Sequence, residues 1–233
     1  MSRSKKLFKL QKIDTAIDTA HKRISDIESI LADDEELKRA QKKEKNTRLE
    51  LEEKKKILQR AEREVRDQER KIAQNKEKLY SGKITNPKEL EDLQLEAESL
   101  ERYLAVLEER QLEAMIVVDQ YQTAHKEALE ALRKVKENRK KLHVELNQEK
   151  SKLENDIEAL KAERKNALEG IPEEDLELYE GLRQTLGGIA VAKTNEQSCS
   201  ACGTQIPSAV YQKARSASQL TNCKTCQRIL HAE

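Results

Sequence analysis

Apolar residues recur along most of this chain in alternating steps of three and four. Leu10, Ile13, Ile17, Ala20, Ile24, Ile27 and Leu31 make a first seam. The step then shortens through Ala-Asp-Asp-Glu-Glu-Leu, and a second frame runs through Leu37, Leu51, Leu58, Val65, Ile72 and Leu79. A residue missing from a heptad frame overwinds or kinks a coiled coil. Asp33 with Glu36 also suits the start of a fresh helix. The first long helix is therefore expected to bend or break near 32–35. A further frame runs unbroken from Leu90 to Leu160, interrupted only by polar Gln111, His125, Arg139, Glu149 and Asp156. A heptad held this long is coiled coil rather than the flank of a globular core.

Between the frames lies Tyr-Ser-Gly-Lys-Ile-Thr-Asn-Pro-Lys-Glu-Leu. Gly82 suits the left-handed residue that ends a helix. Asn86, Pro87 and Glu89 supply a cap, a first helical residue and a capping box. The predicted corner near 80–88 folds the second helix back on the first, and charge agrees. With the tip there, facing residues carry numbers that add to about 168. Asp33–Glu36 then face Arg133, Lys134 and Lys136; Lys54–Lys56 and Arg60 face Glu108, Glu109 and Glu113. Arg70, Lys71 and Lys76 face Glu91, Asp92, Glu96 and Glu98. Exposed pairs of this kind contribute only ~0.2–1 kcal/mol each, so they select orientation more than they add stability. The expected fold is mainly α: a long antiparallel coiled-coil hairpin over 1–170, a short linking helix over 171–187, and a small cysteine-bearing ribbon over 188–233.

Composition narrows the alternatives. Charged residues make up 38% of the 233, with no Trp, one Phe and six Gly. Such a chain favours long helices over a compact aromatic core. The net charge of +1 and the strong periodicity argue against disorder. The basic start lacks the apolar stretch of a signal peptide, and nothing is apolar for long enough to cross a membrane. A cytoplasmic location is expected, where paired cysteines point to metal rather than to disulfides.

All four cysteines lie near the end, as C-x2-C-x20-C-x2-C: Cys199, Cys202, Cys223 and Cys226. Two such turns complete a tetrahedron of thiolates around one structural zinc ion. A tail of this size with few large apolar groups needs that ion in order to fold. Short strands are expected at 190–192, 205–207 and 227–230. A thioredoxin-like redox pair would need a βαβ setting that is absent here.

The tip YSGKITNPKELEDLQ, the lead-in GGIAVAK, the knuckle CSACG with its following Ile-Pro, and the terminal CKTCQRIL together resemble the bacterial family of coiled-coil proteins ending in a C4-type zinc ribbon. The resemblance covers nearly the whole chain. It implies a ribbon packed beside the base of the hairpin, a metal held by the four cysteines, and no enzymatic activity. Some members are associated with flagellar or type III export and with sigma factor 54, and RNA binding has been proposed. Gln227 departs from the family's usual glycine in the second knuckle.

These features favour a non-enzymatic adaptor that presents the ribbon to protein partners, in transcription-factor or secretion and flagellar regulation. Candidate partner-binding residues are Lys224 and Arg228 on the ribbon, and Leu112, Met115 and Ile116, with Val117, where the apolar stripe of the second helix widens. Packing against a bend in the first helix or against a second copy competes for that stripe, and a homodimer stays open. The alternative is RNA or other nucleic-acid binding through the ribbon. Residues 193–233 carry five basic side chains (Lys193, Lys213, Arg215, Lys224 and Arg228) and two Glu. Four thiolates on one zinc reduce that balance to about +1, a weak electrostatic footprint. His125 reads as a seam residue and His231 as a bystander to Cys226. No Gly-rich phosphate loop or nucleophile constellation occurs in the sequence, which argues against an enzyme.

Overall fold

A computed structural model describes residues 2–195, 198–216 and 218–232. Its elements, in chain order, are α1 (Arg3–Ala32), α2 (Glu35–Tyr80), α3 (Pro87–Leu168), α4 (Glu173–Thr185), β1 (Val191–Asn195), β2 (Ser198–Cys199), α5 (Ser208–Arg215) and β3 (Ile229–His231). They form two compact units, Asp33–Leu142 and Met1–Ala32 with His143–Glu233. The tail shares a core with α1 and α4.

In the first unit α2 and the larger part of α3 run antiparallel. Partner numbers fall on α3 as they rise on α2: Asp34 meets Arg139, Thr47 meets His125 at 3.3 Å, and Gln68 Nε2 donates to the Leu100 carbonyl at 2.9 Å. Asn75 donates to Glu96 at 2.8 Å. Leu51, Val65 and Ile72 on α2 are buried, as are Leu107, Ala128 and Leu132 on α3. The orientation agrees with the charge blocks, but the pairing within them differs. Lys76 binds Glu101 at 2.7 Å, and Asp34 takes Arg139 rather than Arg133. Arg60 and Arg70 pair within their own helix, with Glu64 and Asp67. The offset has a physical cause: helical side chains lean toward the N-terminus of their own helix. In an antiparallel pair both partners lean to lower numbers, so long side chains meet residues numbered higher than those level with them.

The helix break falls at Asp33–Asp34, where the Asp33 carboxylate accepts the Glu35 N–H at 3.0 Å. At the tip Gly82 takes φ 68°, and Asn86 Oδ1 accepts the Lys88 N–H at 3.1 Å.

In the second unit α1 lies against the end of α3. Arg23 binds Glu149 at 2.7 Å, Arg164 binds Asp14 at 2.7 Å, and Lys6 reaches the Gly170 carbonyl at 2.6 Å. Mutual hydrogen bonding and charge hold the Arg23 guanidinium above, and the Glu149 carboxyl below, their ordinary pKa values. α4 begins after Pro172 with Glu173, Glu174 and Asp175 in its first turn, as a helix dipole favours. Asp175 is buried and takes Arg3 Nε at 2.7 Å.

The Asp14 carboxylate is buried at the meeting of α1, α3 and α4, where it also accepts the Tyr179 hydroxyl at 2.8 Å. Arg183 stands 3.9 Å from it and binds Asp18. Burial first, and the bond to Asp14 second, push the Tyr179 phenol well above its ordinary pKa.

Candidate metal centre

The tail folds as a three-stranded sheet in the order β2-β1-β3. β2 is antiparallel to β1 through Thr194 and Cys199; β3 is parallel to it through Val191 and Ile229. Of the expected strands, 205–207 is reduced to one bridge between Gln205 and Ser198. The segment after it forms α5, a helix the spacing of cysteines does not reveal. Val210 and Tyr211 from α5 pack on a small cluster of Ala192, Cys199, Ile206, Ala214, Cys223, Leu230 and Ala232.

Each Cys-x-x-Cys pair turns in the same way. Gly203 N–H donates to the Cys199 carbonyl at 2.8 Å, and Gln227 N–H to the Cys223 carbonyl at 2.9 Å. Cys199 N–H and Cys223 N–H donate onward to the carbonyls of Thr204 and Arg228. The turn needs a left-handed residue after the second cysteine. Gly203 has φ 74° and Gln227 has φ 62°. A side chain in that region costs ~1–2 kcal/mol, while glycine loses ~0.5–1 kcal/mol in chain entropy. Gln227→Gly should therefore stabilise the ribbon by up to ~1 kcal/mol, read as slower metal loss to a chelator. Faster loss than in the parent chain contradicts this account of the second turn.

The two knuckles bring the four Sγ atoms within 4.8 Å of one another. Cys199 lies 3.8 Å from Cys226, and Cys202 lies 3.8 Å from Cys223. Four sulfurs at ~2.3 Å from a tetrahedral zinc stand ~3.8 Å apart, so the donor set fits that ion. Cys199 and Cys223 are buried, Cys226 is half-buried and Cys202 is exposed. Burial pushes the Cys199 thiol up to about 12, against the pull of the Ala201 and Cys202 amides. The Thr204 hydroxyl, 3.4 Å away, and the Thr204 amide bring Cys202 down to about 6. Metal binding requires all four as thiolates and releases their protons.

His231 stands outside this set. It is buried on β3, stacks on Phe8 with ring centroids 5.2 Å apart, and lies 3.3 Å from Ser4 Oγ. His125 sits in the seam beside Thr47. Of the two proposed ribbon contacts, Lys224 is exposed, but Arg228 is not a surface handle. Its guanidinium is half-buried and donates to the carbonyls of Ile189, at 2.9 Å, and Leu186, at 3.1 Å. It closes the end of α4 onto the ribbon, so reversing its charge would disturb folding. Leu112, Met115 and Ile116 are exposed on α3 at 60%, 48% and 61%, and Val117 is half-buried. Of the alternatives for this stripe, packing against a bend in the first helix does not cover these three residues. Glu196 and Glu233, the two acids of the tail, lie outside the described residues.

Sequence reasoning missed how the ribbon is fastened. Gln11 on α1 is buried; its Oε1 accepts the Ala190 and Val191 N–H groups at 2.7 and 2.6 Å, and its Nε2 donates to the Val191 carbonyl at 2.8 Å. Leu7, Leu10, Tyr179, Ala190, Val191 and Ile229 form the core around it. The available signal was a glutamine directly after seam residue Leu10, in a position that solvent normally holds.

An antiparallel coiled coil joined to a four-cysteine ribbon defines a coiled-coil protein with a terminal C4 knuckle pair. The chain belongs to the CT398-like coiled coil hairpin family, whose domain model matches residues 10–187, and the C4-type zinc ribbon domain matches residues 198–230. No curated protein matches it. Among solved structures, a protein from Mycobacterium smegmatis is similar at 19% identity and TM-score 0.64, with all of both chains covered. CT398 from Chlamydia trachomatis is 16% identical with TM-score 0.56, over 99% of this chain and 98% of that one. The HP0958 protein from Helicobacter pylori is 17% identical with TM-score 0.55, over 99% and 97%. At these identities the likeness is one of fold.

Proposed function

We propose that the chain is a non-enzymatic cytoplasmic adaptor, in which a coiled-coil hairpin carries a zinc-clipped ribbon to protein partners. The observation that supports this most is the convergence of four thiols within 4.8 Å. Four thiolates fill the coordination sphere of one tetrahedral zinc, leaving no position for water or substrate. Such an ion supplies folding free energy and holds the knuckles in shape. The likeness to the coiled-coil and C4 ribbon family favours regulation of a transcription factor or of secretion and flagellar assembly as the setting. Among the described residues no helix is long and apolar enough to cross a membrane.

The nucleic-acid reading loses support from geometry. Arg228 is spent on backbone carbonyls, and the Lys193 ammonium stands 5.3 Å over the Phe8 ring. Affinity capture from the host's cytoplasmic extract, with and without nuclease, separates the two. Removing the tail would bare Leu7, Leu10 and Tyr179, so the control is the surface change Lys224→Glu in the full chain. Proteins retained after nuclease and lost from the Lys224→Glu variant are the expected result. Capture that disappears with nuclease favours nucleic acid and overturns the adaptor reading.

A further inference from the structure

The outer face of α3 carries a charge pattern that the hairpin uses only in part: of its members Glu101 binds Lys76 across the hairpin and Arg133 binds Glu137 within α3. From Gln111 to Ala124 only Glu113 and Asp119 are charged, in a chain that is 38% charged. Leu112, Met115 and Ile116 stand exposed in this belt. Steps of three and four along a helix stay on one face. Taken that way toward the tip from Leu112, the stripe passes Glu108, Ala105, Glu101, Glu98, Gln94 and Glu91. Taken the other way from Met115, it passes Asp119 and Gln122, and then Lys126, Leu129, Arg133, Lys136 and Lys140. One flank is acidic, the other basic, and the apolar pair lies between them.

We propose that this stripe pairs with the same stripe of a second copy, antiparallel, about a two-fold axis at the Leu112–Met115 belt. An isologous contact of this kind needs a surface that complements itself. Here the acidic flank of each copy meets the basic flank of the other. With Leu112 level with Met115 of the second copy, the side-chain lean seen inside the hairpin brings Glu108 to Lys126, and Glu98 to Lys136 of that copy. Glu91 falls near its Lys140. A parallel pairing would set acid on acid and base on base. Glu91, Glu108, Lys126, Lys136 and Lys140 are exposed, and none forms an ion pair among the described residues. Glu98 binds only Arg102 of its own helix, at 3.6 Å.

The stripe spans about 50 residues, or ~75 Å of helix. Its apolar belt alone is small beside the ~1,200–2,000 Å² of a stable interface, so the charged flanks carry much of the register and the dimer is salt-sensitive.

Sedimentation equilibrium of the full chain tests the pairing. The parent chain should dimerise at low salt and dissociate progressively as salt rises. Lys126→Glu, Lys136→Glu and Lys140→Glu together should weaken self-association about tenfold or more, as should Glu91→Lys, Glu98→Lys and Glu108→Lys together. Mixed in equal amounts, these two variants should form a heterodimer, since one then has two acidic flanks and the other two basic ones. Unchanged helical circular dichroism shows that the variants fold. A parent chain that stays monomeric at high micromolar concentration overturns the proposal, as does a dimer indifferent to both charge sets. A monomer whose Met115→Glu variant loses a captured foreign protein also overturns it, by giving the belt to that protein.

Discussion

Replacing Cys223 with serine is expected to abolish metal retention and unfold the segment from Ala190 to Ala232, leaving the long helices formed. Binding of a structural zinc contributes ~10–16 kcal/mol of apparent free energy in small zinc domains, and that energy is folding energy. The ribbon has little else. Two of the seven buried residues in its cluster, Cys199 and Cys223, are themselves candidate ligands, and among the described residues Tyr211 is the sole aromatic side chain packed on it. Once the knuckles open, Val191 and Ile229 lose the strand pairing that holds them against Leu7, Leu10 and Tyr179. Limited proteolysis should then cut within the tail, zinc content should fall from about one per chain to none, and the helical circular dichroism should change little. A Cys223→Ser chain that binds no metal yet resists cleavage in the tail contradicts the metal as the source of the ribbon's stability.

Asp14→Ala should be strongly destabilising although it lies outside the ribbon. The carboxylate is buried and receives Arg164 and the Tyr179 hydroxyl, with Arg183 close by. Removing one partner of a buried ionic group typically costs ~3–5 kcal/mol, because the remaining charges stay desolvated. Arg164 and Arg183 keep partial access to water through side-chain exposures of 30% and 22%, which places the expected loss near ~3 kcal/mol. Tyr179→Phe removes one hydrogen bond but no charge and should cost only ~1 kcal/mol. Urea unfolding of the three chains checks both values; an Asp14→Ala chain no weaker than Tyr179→Phe would show that the network is not a keystone.

The parts of the fold readable from sequence are those governed by periodicity and local chemistry. Heptads gave the long helices, the shortened step near Ala32 marked where α1 ends, and Gly82 with Asn86-Pro87 marked the tip. Orientation was readable because whole blocks of charge had to match. Register within the blocks was not, since the lean of Lys76 toward Glu101 depends on side-chain direction rather than spacing. The four sulfurs that lie together are those named by the two Cys-x-x-Cys pairs. What surrounds them was hidden: α5 is too short to show a period, and Gln11, Asp14 and Arg228 act across more than 35 residues of sequence. Arg228 shows the limit most clearly, because a basic residue beside a knuckle reads as a contact for partners until its two carbonyl acceptors are seen.

The four cysteines should close a metal off from chemistry. Zinc-edge X-ray absorption on the purified full chain addresses it directly. Four sulfur ligands at ~2.3 Å and no lighter ligand are predicted. An oxygen or nitrogen ligand at ~2.0–2.1 Å would mean an open or mixed site, and would contradict a purely structural ion.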